Sequence, residues 1–137
     1  MTSTPAVRPW ALLALALPCA PLVWVVLIAD GWTVNRLVVR IWSSLGPRFP
    51  LGPQGVDLIL NTLMLVPFGF LAGVGLPRVP WWVWWAVGFL LSLGIETTQF
   101  FMGTRDASWL DLVLNTVGAG VGALAARAVN GRLNRSR

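Results

Sequence analysis

Four apolar runs, each close to twenty residues long, leave this chain few ways to fold. They cover about 10–29, 56–76, 81–102 and 108–129. A helix needs ~20 apolar residues to cross ~30 Å of hydrocarbon. Charged residues make up 11% of the chain, hydrophobic residues 56%, and the mean hydropathy is +0.73. A soluble domain carries about 25% charged residues. The predicted fold class is therefore all-α: a polytopic membrane protein, one domain over residues 1–137, with four transmembrane helices. The first loop adds a short amphipathic interfacial helix at about 33–46. There Val34, Leu37, Val38, Ile41, Trp42 and Leu45 recur at helical spacing, with Asn35, Arg36, Arg40 and Ser44 between them. Such a helix either lies on the outer membrane surface or packs on the bundle as a lid.

The first run is longer than a usual signal-peptide core, and no small-x-small site follows it. Pro18 before Cys19 fits a lipoprotein site badly, so a retained helix is expected. Pro77 and Pro80 bracket a short loop, and Gly103 ends the third run. Pro67 cannot donate an N–H and clashes with the carbonyl of Leu63, so a kink is expected near Pro67-Phe68-Gly69.

Arginine counts orient the spans. With four crossings both termini share a side with the 77–80 loop. That side holds Arg8, Arg78, Arg127, Arg132, Arg135 and Arg137, against Arg36, Arg40, Arg48 and Arg105 on the other. The bias predicts both termini on the cytoplasmic side. Trp81, Trp82, Trp84 and Trp85 then form a cytoplasmic interface belt, with Trp32, Trp42 and Trp109 at the outer interface. The arginines form no basic stripe with interleaved aromatics, so nucleic acid is not an expected partner. Membrane lipids are, and the Arg127–Arg137 tail reads as an anionic-lipid contact. With no His and one Cys, zinc and haem sites of the usual kinds and His-dependent catalytic triads are excluded.

Against this apolar background one hexapeptide occurs twice: Asp57-Leu58-Ile59-Leu60-Asn61-Thr62 and Asp111-Leu112-Val113-Leu114-Asn115-Thr116. Residues at i and i+4 share a helix face, so each copy stacks a carboxylate over a carboxamide. Such groups are costly in lipid unless a protein or water partner receives them. Asn61 should lie about 6 Å deeper than Asp57. The third run carries Gly88, Ser92, Glu96, Gln99 and Gly103 on one stripe, with Glu96 about 9 Å below its outer end. Asn61, Glu96, Gln99 and Asn115 thus reach similar depths from three helices. The expected ligand site comprises Asp57, Asn61, Glu96, Gln99, Arg105, Asp111 and Asn115. Blander roles are open for each: amides as interhelical glue, Glu96 paired with Arg105, and both aspartates as caps at helix starts.

On these residues the chain resembles the VanZ-like family of small bacterial membrane proteins. The likeness rests on Asp57…Asn61 followed by Pro67-Phe68-Gly69, then Glu96-x-x-Gln99. It continues with Arg105-x-x-Ser108-x-x-Asp111-x-x-x-Asn115-Thr116-x-Gly118-Ala119, with Gly122 following. It covers about 55–125. The segment Ala107-Ser108-Trp109-Leu110 is less acidic than in many relatives. The resemblance implies kinship with an accessory protein of glycopeptide resistance that lowers susceptibility to teicoplanin, with no established reaction.

The leading expectation is an envelope protein whose outward-facing pocket binds part of a lipid-linked or cell-wall ligand. Asn61, Gln99 and Asn115 would hydrogen-bond it, Arg105 would meet an anionic group, and the carboxylates would orient Arg105 or take a cationic group. A rival is an enzyme on a lipid-linked substrate, with Glu96 as catalytic base and carboxylates holding a divalent cation. No cofactor is required otherwise, and oxygen ligands would suit Mg or Ca. A third reading is a small proton-coupled transporter with Glu96 as the carrier. Spare Gly pairs leave a homo-oligomer open.

Overall fold

The computed structural model describes residues 7–27, 31–46, 50–103 and 108–135, and side chains within these except 25–27, 31, 32, 134 and 135. Arg48, Arg105, Asp106 and the Trp32 side chain therefore lie outside the described residues. All regular structure among the described residues is α-helical. In chain order the helices are α1 (Pro9–Ala14), α2 (Ala16–Leu27), α3 (Gly31–Leu45), α4 (Pro53–Met64), α5 (Val66–Gly75), α6 (Trp81–Met102) and α7 (Trp109–Arg135).

Prolines decide where the apolar runs bend. Leu65 breaks the second run with φ −98 and ψ 0, two residues before Pro67. The ring of Pro67 excludes the Leu63 carbonyl from helical bonding, so the turn loosens ahead of the proline rather than at Pro67-Phe68-Gly69. The first run breaks by the same rule at Leu15, ahead of Pro18, a break that apolar run length does not reveal. At the other boundaries, Pro80 precedes α6, and Gly103 ends it in the left-handed region at φ 62. That conformation costs glycine little. α7 runs on past the expected end near 129 to Arg135, because no proline stops it.

Among the described residues two helical stretches are long and apolar enough to cross a membrane, Pro53–Gly75 and Trp109–Leu133, against the four expected. Pro9–Trp24 is a shorter apolar helix. α6 has the length, at 22 residues. Its four leading tryptophans and its Glu96-Thr97-Thr98-Gln99 segment lower its hydropathy.

α7 is the central rod, packed against α4, α5 and α6. Glycines set how closely it approaches. A Cβ on Gly118 would overlap the Thr62 carbonyl oxygen, and one on Gly122 would overlap that of Val66. The pairings Thr62 with Gly118, Val66 with Gly122 and Gly73 with Ala126 climb both chains together, so α4–α5 and α7 run parallel. α6 runs antiparallel to α7, since Gly88 meets Ala119 while Ser92 Oγ donates to the Leu112 carbonyl at 3.3 Å. At one end Ala11, Val74 and Ala126 close a small core with Phe70. There Arg8 donates to the Asn130 side-chain oxygen, and Asn130 Nδ2 donates to the Gly73 carbonyl at 3.0 Å. Small residues fill the interior, whereas Leu13, Leu17, Leu90, Phe101 and Trp109 are exposed.

Backbone contact between α4–α5 and α7 predicts a sharp steric penalty. Gly118→Leu should destabilise the protein by about 1–3 kcal/mol or prevent folding, as overpacking does. Gly94, where an added Cβ would meet nothing within 4 Å, is the control. Gly94→Ala should be neutral or stabilising by up to about 1 kcal/mol. Thermal unfolding of the purified variants in detergent measures both.

Candidate functional site

Parallel packing brings the two hexapeptides side by side. Contacts between α4 and α7 pair residues 56 apart, as Thr62 with Gly118, and the repeat copies are 54 apart, as Asp57 with Asp111. The copies are therefore within about 3 Å of level along the helix axes. Their local bonding is the same: Thr62 Oγ1 donates to the Leu58 carbonyl at 2.9 Å, and Thr116 Oγ1 donates to that of Leu112 at 2.7 Å. The threonines are thus satisfied within their own helices.

Asp57 and Asp111 line one cavity of about 640 Å³. α3 supplies its third wall through Val34, Asn35 and Val38, and Gln54 and Ser108 add polar groups. Of the two expectations for α3, the lid packed on the bundle matches this arrangement: Val38 is buried, and Trp42 Nε1 donates to the Leu51 carbonyl at 2.8 Å. Asp57 is not a cap, contrary to one sequence expectation. α4 begins at Pro53 with Gly52 as its N-cap, no side chain caps it, and its first turn holds no acid. Proline at the first helical position is already preset for a helix, which moves the start one turn ahead of Asp57.

Asp111 does lie in the first turn of α7. The capping hydroxyl, however, is Ser108, whose Oγ accepts the Asp111 N–H at 3.3 Å. The Ser108 N–H itself donates to Glu96 Oε2 at 2.8 Å. In a capping box the acid three residues on reaches back to that N–H. Here a carboxylate from α6 takes it, so Glu96 joins α6 to the start of α7 where the helix dipole favours negative charge. Glu96 is 7% exposed. It borders a groove of about 240 Å³ with Thr97, Phe100, Ser108 and Trp109. Ser108 lines both the groove and the larger cavity.

The remaining expected residues are also buried. Asn61 is 7%, Gln99 3% and Asn115 1% exposed. Asn61 Nδ2 and both polar atoms of the Asn115 side chain have no hydrogen-bond partner. Asn61 and Asn115 line neither cavity. The seven residues thus fall into a carboxylate cavity, a Glu96 groove beside it, the Asn61 and Asn115 amides one turn below the aspartates, and Gln99 one turn beyond Glu96 towards the end of α6. The antiparallel course of α6 keeps Gln99 from the common depth that spacing predicted, and Arg105 lies outside the described residues. Among the described residues no three His, Cys, Asp or Glu side chains group as a metal site. From the sequence alone Arg8 is only a topology signal, and Asn130 does not stand out. Asn130 lies about four turns beyond Asn115, a same-face spacing that could have flagged it.

Residues 12–130 match the family described as VanZ/LLP1. This chain belongs to the VanZ-like family. Over 124 residues it is 26% identical to Protein VanZ of Enterococcus faecium, a match spanning 90% of this chain and 77% of that one. No solved structure matches it. The motifs that suggested the family fall within the matched stretch. In this VanZ-like protein their described residues lie on α4, α5, α6, α7 and the Ser108 cap of α7.

The Glu96–Ser108 bond predicts a specific amide-exchange pattern. In Glu96→Ala the Ser108 N–H loses its acceptor, and stability should fall by about 1–3 kcal/mol. Glu96→Gln keeps a carbonyl acceptor and should retain most of the protection. Hydrogen–deuterium exchange across the start of α7 reads the difference directly.

Proposed function

We propose that this VanZ-like protein is a multi-pass protein of the bacterial cell membrane, with both termini cytoplasmic. Its spans would be α1–α2, α4–α5, α6 and α7, with α3 at the outer surface. Large apolar side chains outside a small-residue interior support this, since lipid-embedded helices pack through small residues. Parallel α4–α5 and α7 with antiparallel α6 also fit successive crossings. The cavity under α3 then opens outward and takes part of a lipid-linked or cell-wall ligand, with a link to teicoplanin susceptibility.

One observation carries the reading: Asp57 and Asp111 reach the same cavity of about 640 Å³ from separate helices. Two carboxylates with the Asn35 and Gln54 amides suit a ligand rich in N–H and O–H donors, such as an amine, a peptide or a sugar. The valines and leucines around them suit its apolar portion. Glu96 fixes the start of α7 and hence Asp111; Gln99 lies on the next turn of α6. Arg105, three residues before Ser108, would answer an anionic group. Asn61 and Asn115 would complete their hydrogen bonds when a ligand group or water reaches them.

The buried amides separate a ligand role from a packing role. Replacing Asn115 by leucine removes two unpaired polar atoms, each of which costs about 1–3 kcal/mol when buried. Asn115→Leu should therefore melt at the wild-type temperature or higher, yet lose any glycopeptide or envelope phenotype. Glu96→Ala and Arg105→Ala should lose the phenotype at normal membrane levels. Susceptibility assays on expressing strains, with quantified membrane protein, measure this. Wild-type behaviour of all three variants contradicts the site.

A further inference from the structure

The end of the bundle remote from Asp57 and Asp111 holds a second cavity, of about 370 Å³. It lies between the α5–α6 turn, the start of α6 and the last third of α7. Arg78 from the turn and Arg127 from α7 line it, with Trp81, Trp82 and Trp84. Among the described residues no carboxylate does; Asp57, Glu96 and Asp111 border the cavities at the other end.

Two cationic side chains and a helix start border this space. No side chain caps the start of α6, so the positive end of a 22-residue helix meets the cavity where Trp81 and Trp82 line it. Asn130 at the wall is already engaged, giving its amide N–H to the Gly73 carbonyl and accepting from Arg8. That network fixes the wall and leaves Arg78 and Arg127 to meet a ligand. Two guanidiniums and a helix N-terminus, with no acid among the described lining residues, call for an anion bearing several acceptor oxygens. The tryptophan rings beside them suit the boundary between headgroups and acyl chains.

We propose that this cavity binds the phosphate of an anionic phospholipid headgroup, held by Arg78 and Arg127. The phosphate chemistry follows from the cavity; the lipid source rests on the membrane reading above. Native mass spectrometry of the detergent-purified protein, titrated with phosphatidylglycerol, phosphatidylcholine or inorganic phosphate, tests it. Phosphatidylglycerol should bind in preference to phosphatidylcholine. The Arg78→Gln/Arg127→Gln variant should bind it about thirtyfold more weakly, a factor of about five per arginine. Arg40→Gln, which removes a charge from α3, should bind as wild type does. Equal binding of both lipids, or no loss in the double variant, overturns the proposal. Arginine-dependent binding of inorganic phosphate with none of phosphatidylglycerol overturns the lipid source. Release of the protein from membranes by alkaline carbonate would defeat the four-span reading alone, whatever the titrations show.

Discussion

Backbone-to-backbone contact between α4–α5 and α7 is the constraint on which the remaining geometry depends. Gly118 and Gly122 have no side chain to hold the helices apart, so the carbonyls of Thr62 and Val66 press against α7 itself. Packing of this kind fixes axial register more tightly than interdigitated leucines, because a backbone cannot change rotamer. The register it fixes sets the two Asp-x-x-x-Asn faces nearly level. Without it, Asp57 and Asp111 would not share a cavity, and the repeat would be a coincidence of composition.

The third acid has a different task from the other two. Glu96 satisfies the Ser108 N–H, one of the donors that a helix start leaves open. It therefore braces the edge that the larger cavity and the Glu96 groove have in common. Below this edge the structure leaves polar atoms of Asn61 and Asn115 buried and unpaired. A fold selected only for stability would replace them with apolar groups at little cost. Their presence one turn below a carboxylate-lined cavity is what supports the proposed ligand site.

Much of this was legible in the sequence. The bounds of α6 followed from Pro80 and Gly103, residues whose backbone preferences are local. The family followed from motif spacing. The shared level of the repeat copies followed from helix rise and alternating crossings. What escaped was non-local or depended on a competing local rule. Asp57 looked like a cap until Pro53 claimed the helix start. The Leu15 break obeys the proline rule applied at Pro67, but the apolar run around Pro18 masked it. The bond from Ser108 to Glu96 joins residues on different helices, and no periodicity within one helix reveals it. Arg8 and Asn130 are more than a hundred residues apart, so their pairing needed the packed bundle.

The parallel register of α4 and α7 can be measured without knowing any ligand. Nitroxide labels on cysteines replacing Asp57 and Asp111, in a Cys19→Ser background, report on their separation through dipolar broadening. The pair at 57 and 111 should broaden strongly. A pair at 57 and 127, with the second label about 24 Å further along α7, should not. Broadening only in the second pair would mean that the helices run antiparallel. Broadening in neither would mean that they do not pack, and in both cases the shared cavity and everything inferred from it would fall.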